Sequence, residues 1–245
     1  TLIYSTYWFN YMPFVSAVQF QQAFAIAHKV NFLAANVQTD EGPNLGAGIY
    51  SGSRGALAYS NTPDGLTKLI IATIPTDSQY PKPAEKCPVE PKTVVVSKRG
   101  HMKQNNFQLN TSLVQIIHLD HAFGQDYVEY CCPYSGICCS LYYRVKNVPQ
   151  FNREHFVLLV GNVTSGALGQ DRYPIRQEFC GLSACEDRNC SKFAITSKTK
   201  FSSVDLSAKL KSKHVYPSVM TSGLGLLPTE QWKYSTDSGQ RVISI

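Results

Sequence analysis

Val15-Ser-Ala-Val-Gln-Phe20 and Asn31-Phe-Leu-Ala-Ala-Asn-Val37 are the two stretches whose reading decides the fold at the start of this 245-residue chain. Ser16 can cap a helix, and Gln19, three residues on, completes a capping box in which each side chain satisfies a backbone N–H orphaned at the helix start. Val15 and Phe20 occupy the two positions of a hydrophobic staple across that turn. Ala17, Phe20, Phe24 and Ala27 then recur at helical spacing, so a helix is expected from Ser16 onward. The second stretch is short, apolar and flanked by polar residues, which is the pattern of a buried strand.

Outward from this pair, the stretch from Gly42 to Gly55 is rich in glycine. It fits neither a dinucleotide fingerprint nor a phosphate loop, since no lysine follows in place and no strand-to-helix turn is evident. Its glycines are expected in turns. An apolar strand is expected from Leu69 to Ile74. Pro75, Pro81, Pro83, Pro88 and Pro91 follow, and proline neither donates to a sheet ladder nor continues a helix. A boundary is therefore expected there, giving domains 1–80 and 81–245. Beyond it, short alternating segments at 93–97, 113–119, 127–131, 138–145, 156–160 and 201–210 read as a mostly antiparallel β domain. The expected fold class is α/β followed by mostly β.

Apolar residues make up 43% of the chain and charged residues only 16%, below the roughly 25% usual for soluble domains. That balance suits secreted β-rich proteins. The densest part of the net charge of +6, Lys209, Lys211 and Lys213, alternates with Leu210 and Ser212 as one face of a strand would. No basic patch interleaved with stacking aromatics marks a nucleic-acid partner. No apolar run is long enough to span a membrane, and Thr1 to Tyr4 lacks the basic region of a signal peptide.

Cys87, Cys131, Cys132, Cys138, Cys139, Cys180, Cys185 and Cys190 are spaced as adjacent pairs and C-x4-C steps rather than as the paired C-x2-C of a zinc site, so disulfides are expected. A hairpin staple from Cys132 to Cys138 is one option among 105 connectivities. Asn110, Asn162 and Asn189 head glycosylation sequons, whereas Asn61-Thr-Pro63 carries proline at the hydroxyl position. Those sequons agree with an extracellular setting. No G-x-S-x-G places a serine nucleophile. His118 and His121 fall three apart in a strand pattern, on opposite faces, so no metal site is expected. On residues alone, Tyr7 and Trp8 read as core or as the wall of a ligand pocket at a strand end.

Taken together, Tyr7-Trp-Phe-Asn-Tyr-Met-Pro-Phe-Val-Ser-Ala-Val-Gln-Phe20, Val30-Asn-Phe-Leu-Ala-Ala-Asn36, Gly46-Ala-Gly-Ile-Tyr50, Cys138-Cys-Ser-Leu-Tyr-Tyr143 and Cys180-Gly-Leu-Ser-Ala-Cys185, with Cys190 soon after and His214-Val-Tyr-Pro217 as a looser match, resemble the vanin (pantetheinase) and biotinidase family of the nitrilase superfamily. The resemblance implies the C-terminal part of a nitrilase-type αββα sandwich, followed by a disulfide-bonded β-rich base domain that stops short of the family's last strands. It implies hydrolysis of small linear amides through a cysteine, a glutamate and a lysine, with no cofactor. In the family all three precede the segment matched by Trp8, so no catalytic residue is assigned here. The expected partner is the N-terminal portion of the same protein. Tyr7 and Trp8 match the segment that lines the acyl pocket. A catalytically inactive binding or structural protein on the same scaffold is the alternative. A lipid anchor following Ile245 is left open.

Overall fold

The structure is a computed structural model. It describes the chain apart from residues 9, 13, 15, 39–43, 75–89, 99–106, 109–113, 120–123, 133–135, 165–175 and 238. Val15 of the expected staple and most of the proline-rich stretch, where the boundary was expected, lie outside the described residues. The elements run β1 (Leu2–Thr6), β2 (Tyr11–Met12), α1 (Ala17–His28), β3 (Phe32–Asn36), β4 (Ala47–Ser51), β5 (Gly55–Ser60), β6 (Leu66–Ile71), β7 (Lys92–Lys98) and β8 (Phe107–Gln108). They continue with β9 (Val114–His118), β10 (Gln125–Cys131), β11 (Cys138–Val145), α2 (Val148–Phe151), β12 (His155–Thr164), β13 (Arg176–Cys185), β14 (Phe201–Lys209), β15 (Met220–Thr221), β16 (Gly225–Leu226), β17 (Lys233–Asp237) and β18 (Gln240–Ser244). The chain is thus β-rich. It divides into two compact units: Thr1–Phe107 with Tyr216–Thr221 and Gly225–Glu230, and Gln108–Val215 with Ser222–Leu224 and Gln231–Ile245.

In the first unit α1 starts where its caps dictate. Ser16 Oγ accepts from Gln19 N at 3.3 Å, and Gln19 Oε1 accepts from Ser16 N at 3.4 Å. Asn10 Oδ1 takes the next orphan donor, Ala17 N, at 2.8 Å. The helix ends on Lys29 in the left-handed region (φ 51°), with Lys29 N donating to Ile26 O. β1 and β3 pair in parallel, Leu2 opposite Phe32 and Thr6 opposite Asn36. α1 is the crossover between them, as a parallel pair requires. β4 and β5 extend the sheet antiparallel, in the order β1-β3-β4-β5. Val18, Ala25, Phe32, Ala34, Tyr50 and Leu226 form the buried core.

The turn reading of the glycine stretch holds at Gly52, in the turn of residues 52–54 between β4 and β5; Gly46 (φ 94°) and Gly55 (φ 70°) are left-handed just before β4 and at the start of β5, and the reading fails at Gly48, which lies inside β4. The cause is Tyr50, two residues on and therefore on the same face. A Cβ at Gly48 would sit 2.4 Å from the Tyr50 hydroxyl oxygen, a hydroxyl that donates to buried Gln21 Oε1 at 2.8 Å. The glycine makes room for the ring, and the strand continues through it.

The second unit is a pair of antiparallel sheets, ordered β10-β11-β14-β18-β17 and β13-β12-β9. β11 buries Cys139, Leu141, Tyr143 and Val145, and β12 contributes Phe156, Leu158 and Val160 to the same core cluster. This two-residue period from both sheets into one core is sandwich packing. Phe151 of α2 is fully buried among them. β12 also buries Val157 and Leu159, as expected of the central strand of its sheet. The three lysines do not share a strand face. β14 ends at Lys209, where its partner β11 begins at Cys138, and Lys211 and Lys213 are exposed in bends beyond the ladder.

Candidate functional site

Tyr7 and Trp8 lie just beyond the carboxyl end of β1, and Asn36 is the last residue of its parallel neighbour β3. Open α/β sheets bind ligands outside the carboxyl ends of their parallel strands. Asn36 clamps the peptide of Trp8 in both directions: its Oδ1 accepts from Trp8 N at 2.9 Å and its Nδ2 donates to Trp8 O at 3.3 Å and to Leu45 O at 2.8 Å. Asn44 Nδ2 also donates to Trp8 O, at 3.3 Å. So held, the Trp8 indole stacks on Phe20 of α1 with ring centroids 4.7 Å apart, while Tyr7 is 54% exposed. Phe20 continues the aromatic surface to Tyr216 (5.3 Å), and Phe24 to His28 (4.3 Å). The Asn36 amide is committed to the chain itself, and what this segment presents is aromatic ring surface. Asn36, Asn44 and Tyr216 escaped the sequence reading, although Asn36 closing an apolar strand was a usable signal.

The seven described cysteines all lie in the second unit. Cys131 pairs with Cys138, Cys139 with Cys180, and Cys185 with Cys190. The hairpin staple thus uses Cys131 rather than Cys132. In the β10–β11 register Cys131 is directly opposite Cys138, with Cα atoms 4.0 Å apart, whereas Cys132 has already left the ladder. Among the described residues Cys132 has no disulfide partner, and Cys87 lies outside them. Asn162 is half-buried in β12 opposite Glu178, and Asn189 is exposed. Asn110 and His121 lie outside the described residues, and His118 is exposed at the end of β9. Among the described residues no three His, Cys, Asp or Glu side chains converge as metal ligands would. Nor, among those residues, is any helix long and apolar enough to cross a membrane.

A groove of about 330 Å³ in the second unit is lined by Arg153, Glu154, His155, Ala184 and Glu186, among others. Of its two acids, Glu154 is not available as a base. Oε1 accepts from Gln150 Nε2 (2.9 Å) and Lys198 N (2.8 Å); Oε2 accepts from Ser197 Oγ (2.6 Å), Thr199 Oγ1 (2.7 Å) and Thr199 N (3.2 Å). Partial burial pushes the Glu154 carboxyl up, but the bonds from Ser197, Lys198, Thr199 and Gln150 outweigh it and bring the pKa down from 4.5 to about 2. Glu154 anchors the 197–199 loop. Because its folded pKa is depressed, its stabilisation is complete above pH 4.5 and is lost as the pH falls toward about 2. Glu154→Gln is expected to cost about 1–2 kcal/mol at neutral pH, less than the bond count suggests because solvent screens the site. Melting curves of the two proteins should converge between pH 4.5 and 2. A constant gap across that window would contradict the assignment.

Residues 101–244 match the family described as the Vanin C-terminal domain. The chain is 28% identical over 245 residues to pantetheinase of Homo sapiens, covering 97% of this chain and 44% of that protein. It is 28% identical over 194 residues to vanin-like protein 3 of Drosophila melanogaster (76% of this chain, 35% of that protein). With biotinidase of Takifugu rubripes it shares 24% identity over 272 residues (96% of this chain, 48% of that protein). The chain therefore spans less than half the length of each of these relatives. The matched region holds both sheets of the disulfide-bonded sandwich, and over more than half of its length this chain belongs to the vanin family.

Proposed function

We propose that this chain is part of a secreted amide hydrolase of the vanin type, which cleaves carbon–nitrogen bonds in pantetheine-like or biotin-amide-like substrates. The observation that carries the reading is the match to pantetheinase across 97% of the chain. In this reading the first unit belongs to a nitrilase-type sandwich, and Tyr7 and Trp8 line the substrate pocket. The nucleophilic cysteine, its glutamate base and the lysine come from the N-terminal portion of the same protein, outside residues 1–245.

Two further observations support it. All seven described cysteines lie in the second unit and six of them are paired, whereas covalent amide cleavage needs an activated thiolate with its base in reach. Moreover, β1 is an outer strand in parallel pairing, with Leu2 41%, Ile3 78% and Tyr4 37% exposed. Successive strand residues point to opposite faces, so apolar side chains are bare on both sides of a parallel edge, where parallel sheets are normally covered. Further structure from the partner portion suits that edge. The three disulfides and the vanin relatives support a secretory route.

Release of the amine product from pantetheine and from a biotin amide should be followed with the complete protein and with residues 1–245 alone. Turnover is expected from the complete protein only. Hydrolysis by residues 1–245 that vanishes on replacing one of its own cysteines would overturn the reading.

A further inference from the structure

We infer that Asn189 is an N-glycosylation acceptor gated by the Cys185–Cys190 loop, so that it takes sugar while its sequon is released and not while the disulfide and Asp187 together hold it closed. The inference rests on the secretory route proposed above and not on the hydrolase activity. Asn189-Cys-Ser191 overlaps a loop closed by cysteines five residues apart, with Cα atoms 5.0 Å apart. In the closed loop the middle residue of the sequon, Cys190, is fully buried and adopts left-handed backbone (φ 52°), which bends the chain sharply at the acceptor. The Asp187 carboxylate then engages the sequon. Oδ1 accepts from Asn189 N at 2.9 Å and Ser191 N at 3.1 Å, and Oδ2 accepts from the Ser191 hydroxyl. Cys190 N donates to Asp187 O at 3.1 Å. The Ser191 hydroxyl, ahead of the backbone bonds, holds the Asp187 carboxyl below its ordinary value.

A transferase must grip an open sequon with the hydroxyl at its third position free, and here that hydroxyl and all three backbone N–H groups are committed within the loop. Asn189 itself is exposed, so the closed loop can carry a sugar attached earlier but presents no acceptor for a new one. Two reactions therefore compete for one loop. In the first, the Asn189 amide nitrogen displaces a lipid-linked diphosphate from the anomeric carbon of the donor sugar; the N–C bond forms, the C–O bond breaks, and the amide proton passes to the transferase. In the second, the two thiols exchange with an oxidised disulfide carrier of the same compartment, which leaves as two thiols and takes up their two electrons and two protons. Asn162 is in β12, within the 41-residue span of the Cys139–Cys180 disulfide but outside the five-residue loop of Cys185–Cys190, so it serves as the internal reference.

The complete protein should be expressed behind a cleavable eukaryotic signal sequence, so that delivery to the compartment does not depend on its native route. Occupancy of Asn189 and Asn162 is then read by peptide mass spectrometry. Wild type should show partial occupancy at Asn189. The double variant Cys185→Ala/Cys190→Ala, which keeps an Asn-X-Ser sequon, should raise it severalfold relative to Asn162. Asp187→Ala, with the disulfide intact, should give an intermediate rise, which separates release of the sequon from any folding defect of the cysteine variant. Full occupancy in wild type, or the same occupancy in all three proteins, none included, would overturn the proposal.

Discussion

Replacing Cys139 and Cys180 together by alanine is expected to destabilise the second unit by about 4 kcal/mol, the value that loop-closure entropy assigns to a cross-link of this span. The two residues are 41 apart in sequence. Cys139 lies on β11 of the five-stranded sheet and Cys180 on β13 of the three-stranded sheet, so the bond ties the sandwich across its core. Cys139 is completely buried. An unfolded chain held at these points loses many open conformations, and removing the bond returns that entropy to the unfolded state. The Cys131–Cys138 pair offers an internal comparison: it spans only seven residues, and the same relation gives about 2 kcal/mol. Urea unfolding of the two double-alanine proteins under non-reducing conditions should therefore rank them in that order. Equal losses would show that loop length does not govern the effect here.

The second large effect is expected from Phe151→Ala, at about 3–5 kcal/mol. Phe151 belongs to α2, a helix of four residues, too short to persist by its own hydrogen bonds. Its ring holds the segment in place: it is fully buried, with ring centroids 5.7 Å from Tyr143, 5.4 Å from Phe156 and 6.2 Å from Phe201. These partners come from β11, β12 and β14, so the truncation leaves a cavity where both sheets meet the helix. Phe151→Leu retains most of the volume and should cost less than about 1.5 kcal/mol. The urea midpoint should fall with little change in slope for either variant. A loss below about 1 kcal/mol for the alanine protein would place the ring outside the working core.

The sequence alone was informative wherever a signal lies within a few residues of its effect. Ser16 and Gln19 cap α1 because each reaches a backbone N–H three residues away. Period-two burial located β11 at Cys138–Val145 and brought β9, β10 and β14 within a few residues of their bounds. For Tyr7 and Trp8 the resemblance implies a pocket segment, and the structure shows that they follow the carboxyl end of a parallel strand. β4 was missed because Gly48 reads as a turn until the ring of Tyr50 is seen above it. β13 was missed because Arg176-Gln-Glu-Phe-Cys-Gly-Leu-Ser-Ala-Cys185 does not alternate cleanly.

Only the tertiary structure decided which distant segments meet. Eight cysteines in a row of residues are equivalent until strand register sets Cys131 opposite Cys138. Nothing local announces that the chain, having built β14, returns to the first unit at Tyr216–Thr221 and Gly225–Glu230. There Tyr216 meets Phe20, and Leu226 N donates to the Tyr59 hydroxyl at 2.9 Å across 167 residues. Caps and periodicity act over one or two turns of backbone and are written in neighbouring residues. A pairing between residues 59 and 226 follows from burial shared by surfaces that exist only once both segments have folded.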